Sequence, residues 1–195
     1  EATYEPTDPS VDSQVITLKA SGATVLLTVA LPKQGSQTIR KLHDLGWKPE
    51  HYLIGTGSGI ATTLAPAGLD KSVGIITANY VKDPTDPRWE NDAGMKDYLA
   101  FMKQYNPEAN ALDRVNVNGY SAAMLMVHVL KQCGDDLRRE NVMKQATSIK
   151  GIQLPMLLPG VVIDTSATDF RVISSMQLER FDGKRYVPIG GMIKL

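Results

Sequence analysis

One short stretch restricts the fold more than any other: the uninterrupted apolar run TVLLTVA, from Thr24 to Ala30. A strand with one solvated face alternates apolar and polar residues, whereas a parallel strand covered on both faces reads as a continuous run rich in β-branched residues. Parallel neighbours must be joined by crossover connections, which are usually helical. The run therefore predicts an α/β fold in which this segment is a central strand of a parallel sheet.

The residues on either side of this run alternate in the way that such a fold requires. A short amphipathic helix is predicted from the N-cap candidate Ser10 to the stop signal Gly22, and a second helix from Gln34 to Gly46. Further strands are predicted over HYLIG and over Val73 to Tyr80, with a short helical turn between them. This order indicates right-handed βαβ units.

The pattern changes at KDPTDPRWEND, residues 82–92, where prolines and charges predict a linker. Three helices are predicted after it, over about 90–105, 118–133 and 136–148. The end of the chain predicts two strands around the turn Asp182-Gly183, a strong hairpin signal.

Composition excludes several partners and sites. The 21 basic and 21 acidic residues leave no net field that would attract nucleic acid or an anionic membrane. The single cysteine, Cys133, excludes a disulfide within the chain, and its position on the apolar side of a helix predicts a small buried side chain. The three histidines, His43, His51 and His128, fall on separate elements, so no metal site is predicted.

The glycine loop GTGSG, Gly55 to Gly59, follows a predicted strand and invites comparison with phosphate-binding loops. A dinucleotide fingerprint would need glycine where Ile60 stands, and no GxxxxGK[ST] motif occurs. Two interpretations stay open: a flexible turn, or a loop that meets a small ligand through Thr56 and Ser58.

The segment Gly119-Tyr120-Ser121-Ala122-Ala123 resembles the nucleophile elbow of a hydrolase. The triad cannot be completed in its usual order, because the only histidine after Ser121 is His128, on the same predicted helix. The segment is instead predicted to pack along one helix face, formed by Tyr120, Met124, Val127 and Leu130. We predict no enzyme and no cofactor.

The order of several segments resembles the later half of the type I periplasmic solute-binding proteins of the branched-chain amino-acid transporter class. The segments are Asp8 to Ala23, ending in LKASGA; KLHDLGW, ending at Trp47; YLIGTGSG; NGYSAAMLMVHVLKQCG; and Leu158 to Tyr186. Together they cover nearly the whole chain.

The resemblance implies a periplasmic-binding-protein type I fold, with a parallel sheet flanked by helices in each of two lobes. By this resemblance, residues 1–81 form a second-lobe segment, 82–92 a crossover linker, 93–163 a first-lobe helical segment, and 164–195 the return crossover and closing strands. The chain is then expected to be a fragment. It is expected to associate with itself or with the missing N-terminal half.

The implied function is that of the extracytoplasmic solute-binding component of an ABC uptake transporter, which delivers its solute to a membrane permease. The protein would be periplasmic, exported and without its signal peptide. The implied ligand-binding residues are Thr28, Ala30, Leu31, Thr56 and Ser58. Family members that bind α-amino acids often carry an acid in the loop 56–59, and here there is none. This argues against an α-amino acid, so a neutral solute and an aromatic or organic acid stay open beside a branched-chain amino-acid-like solute. A hydrolase-type α/β domain and a ligand-sensing regulatory domain are the alternatives.

Overall fold

The computed structural model describes residues 1–194, which form two compact units. The first unit comprises residues 1–78, 85–87 and 178–190. The second comprises residues 79–84, 88–177 and the segment from Gly191 onward. The chain thus passes between the units several times rather than completing one before starting the other.

Three parallel strands organise the first part of the chain: β1 (Val25–Thr28), β2 (Glu50–Leu53) and β3 (Ile76–Asn79). Helix α1 (Asp12–Ala20) precedes β1, and α2 (Pro32–Asp44) connects β1 to β2. The predicted parallel sheet with helical crossovers is confirmed. Between β2 and β3, the predicted helical turn is present as a π-helical turn at Ile60–Leu64 followed by the short helix α3 (Ala65–Ala67), and a 3-10 turn precedes β3.

The predicted central position of the apolar run is wrong for the sheet that the structure describes. The strand order places β1 at one end, with β2 as its neighbour. Leu26 is 6% exposed and packs with Val15 and Leu42 of the two helices, whereas Leu27 on the opposite face is 69% exposed. The run is apolar on both faces, but residues 1–194 cover only one of them.

The last two strands form the predicted hairpin. Strand β4 (Ser175–Phe181) and strand β5 (Tyr186–Lys194) extend the sheet to five strands in the order β1-β2-β3-β4-β5. The Asp182 N–H donates to the Arg185 carbonyl at 3.0 Å, and Gly183 has a φ of 106°, which favours glycine. Phe181 and Tyr186, on either side of the turn, are both buried in the core of the first unit.

The second unit is mainly helical, with α4 (Ala93–Tyr105), α5 (Arg114–Cys133) and α6 (Arg139–Ala146). Asp92 and Asp113 cap the first two helices by accepting the N–H groups of Met95 and Val115. The cap at Asp113 explains why α5 begins at Arg114 rather than at the predicted Asn118. Helix α6 is shorter than predicted, because Asp136 binds Arg138 instead of capping a helix.

Helix α5 turns a different face inward from the one predicted. Its buried residues are Arg114, Val117, Ser121, Val129 and Cys133. Val127 and Leu130, predicted to pack, are 50% and 40% exposed. Cys133 is buried, as predicted. None of the helices within residues 1–194 combines the length and apolar character that crossing a membrane requires.

A partly buried ion pair attaches the linker to the start of α4. The Lys82 ammonium lies 2.7 Å from an Asp92 carboxylate oxygen and 4.9 Å from the centre of the Trp89 ring. Burial by itself would raise the pKa of Asp92, but the hydrogen bonds from Lys82 and from the Met95 N–H outweigh it, so that the pKa is lowered. The carboxylate therefore stays charged while it caps the helix.

We expect Gly94→Ala to destabilise the second unit. A Cβ at position 94 would lie 2.5 Å from the Cβ of Pro155 and 2.9 Å from its carbonyl oxygen, so α4 would have to shift. The expected cost is about 1–3 kcal/mol in the free energy of unfolding, measured by urea titration. Gly119→Ala in α5 is the matched control, because open space surrounds that position and alanine favours a helix. Equal stabilities of the two variants would contradict this packing.

Candidate ligand-binding site

Two loops meet at the carboxyl edge of the parallel strands. One runs from Thr28 to Leu31 after β1, and the other from Gly55 to Gly59 after β2. The Ile54 N–H donates to the Thr28 carbonyl at 2.9 Å, so strand pairing continues to the point where both loops begin. Because ligands of parallel α/β folds bind beyond the carboxyl ends of the strands, this edge is the candidate site.

Glycine at position 57 allows the two loops to pack backbone against backbone. A Cβ on Gly57 would overlap the carbonyl oxygen of Ala30. In the first turn of α2, a Cβ on Gly35 would lie 3.0 Å from the Thr63 methyl carbon and 3.3 Å from the Gly57 carbonyl oxygen. Gly57, one of the glycines that suggested a phosphate loop, is therefore needed for close contact between protein segments, of which glycine alone is capable.

The hydroxyl of Ser58 is engaged within the protein. Ser58 is fully buried, and its Oγ donates to the Gly55 carbonyl at 3.0 Å. Its Oγ also lies 3.0 Å from the Thr77 Oγ1 of strand β3. Since the Ser58 proton is used on Gly55, the Thr77 hydroxyl is the donor of the second bond. This side chain joins the loop to the neighbouring strand.

The terminal hairpin supports the same loop. The Tyr186 hydroxyl donates to the Ser58 carbonyl at 2.8 Å, and the tyrosine ring packs against Phe181 with 5.5 Å between centroids. Nothing in the sequence pairs Tyr186 with position 58. No local pattern connects residues so far apart.

Thr28 also has a partner inside the unit. Its Oγ1 lies 2.9 Å from the Nε2 of His51, a residue of β2 on the same face of the sheet. Burial lowers the pKa of His51 from 6.5 to about 4, so its imidazole is neutral at neutral pH. In the sequence His51 stands out only as a candidate metal ligand, and no local pattern indicates its pairing with Thr28.

The five ligand-binding residues implied by the resemblance therefore differ in the groups that they expose to a ligand. Leu31 is 50% exposed and Thr56 is exposed, whereas Ala30 is buried. The Leu31 N–H donates to the Tyr4 hydroxyl at 3.0 Å, which brings the N-terminal segment to this edge. None of the five side chains is charged. Their exposed groups are one aliphatic side chain and one hydroxyl.

The hydrolase motif does not adopt the geometry of a nucleophile elbow. Ser121 lies well inside α5, whereas an elbow places the serine at a sharp turn between a strand and a helix. Within residues 1–194 its Oγ is buried without a hydrogen-bond partner, so no basic side chain there is hydrogen-bonded to it.

The family model for periplasmic binding proteins matches residues 1–185. The chain belongs to this family. Among curated proteins none matches this chain.

Solved structures with the same fold are numerous and distant in sequence. A branched-chain amino-acid ABC transporter protein from Thermus thermophilus, solved with bound valine, has a TM-score of 0.81 at 16% identity and is matched by 100% of this chain. A substrate-binding periplasmic protein from Ralstonia solanacearum has a TM-score of 0.76 at 14% identity, over 95% of this chain. A leucine-binding protein from Thermotoga maritima has a TM-score of 0.66 at 13% identity, over 99% of it.

These likenesses support the type I periplasmic-binding fold with a mixed five-stranded sheet flanked by helices. The chain spans about half the length of these structures: 52%, 51% and 51% of the three proteins in turn.

We expect Gly57→Ala to disturb the candidate site, because the added Cβ has no space beside the Ala30 carbonyl. The two loops would separate, at a cost of about 1–3 kcal/mol in the free energy of unfolding. Gly191→Ala is the control, since nothing lies within 4 Å of a Cβ there. If both variants unfold at the urea concentration of the parent protein, the loops do not pack in this way.

Neutral His51 should make the stability depend on pH. The unfolded chain takes up a proton on this residue below pH 6.5, and the folded chain only near pH 4. The stability due to neutral His51 is therefore complete above pH 6.5 and is lost as the pH falls towards 4, with a total of about 3 kcal/mol. Urea titrations at pH 7.5 and 4.5 should show a larger loss for the parent than for His51→Gln, which has no imidazole to titrate. Equal losses would contradict a buried neutral His51.

Proposed function

We propose that this protein is the solute-binding component of an ABC uptake transporter, exported to the periplasm. The family match over residues 1–185 carries this proposal, and the bound valine of the Thermus thermophilus neighbour supports it. A small solute is captured between two lobes by hinge closure and is passed to a membrane permease. No catalytic step is involved. A ligand-sensing domain would capture its solute in the same way. Binding to a membrane permease distinguishes a transport component from such a sensor.

The solute is branched-chain amino-acid-like or an aromatic or organic acid. The two loops contribute no carboxylate, and a buried ammonium without a counter-charge costs several kcal/mol. Hydroxyl and backbone N–H groups can instead donate hydrogen bonds to a carboxylate. This favours an acid whose remainder is apolar, because Leu31 is the exposed side chain beside the Ala30 backbone.

The five residues have two kinds of role in this proposal. Thr56 and Leu31 contact the solute through their side chains, and Ala30 contacts it through its backbone. Thr28 and Ser58 hold the loops in position through His51 and Thr77. The loops are thereby fixed before binding, which lowers the entropic cost of capture.

Calorimetry with L-valine, L-leucine and benzoate tests the proposal on the 195-residue protein. At least one of the three should bind, and Thr56→Ala should weaken its binding about 2- to 10-fold, as expected for loss of one neutral hydrogen bond. Thr24→Ala is the matched control, because Thr24 is exposed immediately before β1, at the amino end of that strand.

Ser58→Ala should lower the melting temperature, because its hydroxyl joins the loop to Thr77 inside the protein. Equal affinities of the parent, Thr56→Ala and Ser58→Ala would remove both residues from the site. Absence of binding by all three probes would reject this solute class.

A further inference from the structure

A cavity of about 670 Å³ lies in the first unit at the amino edge of the parallel strands, opposite the candidate ligand-binding site. Its walls come from the end of α2, from residues 46–51 at the start of β2, from residues 70–75 before β3, and from Arg180 of β4. All of these segments belong to the first unit. Strands β2 and β3 have a neighbouring strand on both sides, so this amino-edge cavity does not lie at an open end of the sheet.

The imidazole of His51 forms part of the cavity wall, although the residue is only 7% exposed. Its Nε2 bonds to the Thr28 Oγ1, which lies towards the carboxyl edge because Thr28 pairs with Leu53, two residues beyond His51. The two nitrogens of an imidazole point in nearly opposite directions, so Nδ1 is directed towards the amino edge. Within residues 1–194 the bond to Thr28 is the only hydrogen bond of this ring. The buried Nδ1 therefore has no partner among those residues.

This nitrogen can donate a hydrogen bond to a ligand in the cavity. A neutral imidazole carries one N–H group and one acceptor nitrogen. His51 is neutral at neutral pH, and the Thr28 hydroxyl has a single proton to donate. When Thr28 donates to Nε2, the N–H group of the ring is at Nδ1. An anion beside Nδ1 favours this tautomer, because it accepts the N–H.

The charged side chains around the cavity leave an excess of one positive charge. They are Lys48, Lys71, Arg180, Glu50 and Asp70. Glu50 Oε1 accepts a hydrogen bond from Tyr52 at 3.2 Å and lies 3.9 Å from the Arg180 guanidinium, so these two charges offset each other. Lys48, Lys71 and Asp70 form no ion pair within residues 1–194. Two ammonium groups beside one carboxylate favour a ligand with one negative charge.

The carboxyl end of α2 does not cancel this preference. Its last carbonyl groups accept the N–H groups of residues 45–47, and the Leu45 carbonyl accepts the Lys19 ammonium at 2.7 Å. Lone pairs that already accept hydrogen bonds repel an anion less than unpaired ones at a helix end.

The other walls of the cavity are apolar. Ile39 and Leu42 of α2 are buried beneath it, and Trp47 and Pro49 line it beside Lys48. Val73 lines it as well and is 57% exposed. Small-molecule sites combine apolar walls with a few polar groups that fix orientation. A ligand with an apolar body would cover Val73 while its charged group lies near Nδ1.

We propose that the amino-edge cavity binds a small monocarboxylate with an apolar body, which accepts a hydrogen bond from the His51 Nδ1 and pairs with Lys48 and Lys71. The bound carboxylate holds the ring proton on Nδ1, so Nε2 accepts the Thr28 hydroxyl. Occupancy of the cavity thereby fixes the side chain at the start of the loop after β1. This second site does not depend on the proposed transport function.

Nitrogen NMR of the 195-residue protein tests the site with phenylacetate at neutral pH. Histidine ring spectra distinguish a protonated from an unprotonated nitrogen, and phenylacetate should shift the His51 signals, saturably, towards the tautomer protonated on Nδ1. Phenylacetamide is the matched control, because it has the same shape without the charge. It should bind at least about 5-fold more weakly.

Lysine variants test the charge pairing. Lys48→Met and Lys71→Met should each weaken phenylacetate binding about 2- to 5-fold, as expected for loss of a partly exposed ion pair. Lys103→Met is the control: it removes the same charge from an exposed position of α4, in the second unit and outside the cavity. Its affinity should equal that of the parent.

Three results would overturn the proposal. One is no saturable change in the His51 signals at millimolar phenylacetate. Another is equal binding of phenylacetamide, which would mean that the cavity does not select an anion. The third is a loss of phenylacetate affinity in Thr56→Ala without one in Lys48→Met or Lys71→Met, which would place the acid at the loops of the carboxyl edge. Because the two sites respond to different variants, this site and the transport function can fail separately.

Discussion

The parallel pairing of β1 with β2 determines where the candidate ligand-binding site lies in this protein. Because the two strands point the same way, the residues after Thr28 and after Leu53 emerge at one edge of the sheet, and the bond from the Ile54 N–H to the Thr28 carbonyl fixes their spacing. The backbone contact at Gly57 follows from that spacing. An antiparallel pair would have placed the two loops at opposite edges.

Local signals in the sequence were enough for most of this architecture. Continuous apolar runs predicted parallel strands, and Asp182-Gly183 predicted the terminal turn, because both depend on neighbouring residues. The place of β1 in the strand order could not be predicted. An apolar run indicates that both faces of a strand prefer burial, but it does not indicate which segments cover them. The prediction of which face of α5 is buried was also wrong. Val127 and Val129 are equally apolar, so the sequence does not determine how the helix is rotated about its axis.

The candidate site was predictable to a similar extent. The glycine loop could be located because glycines mark close approach, yet its contacts could not be read from the sequence. Ser58 looked like a ligand hydroxyl and is bonded to Thr77, while Thr28 is bonded to His51. Residue type gives the capacity to form a hydrogen bond, whereas the tertiary fold decides which group uses it. Most polar side chains in a folded core are already satisfied by the protein.

The bond between the Tyr186 hydroxyl and the Ser58 carbonyl joins residues 128 positions apart. During synthesis, the glycine loop is therefore made long before the tyrosine that holds it. A ribosome-bound or prematurely terminated chain would already contain both loops and all three parallel strands, but it would lack this support. Proteolysis within the terminal hairpin would have the same effect on a finished molecule. The shape of the candidate site thus depends on the last strands, because only a chain extending through Tyr186 can form the bond that supports the glycine loop.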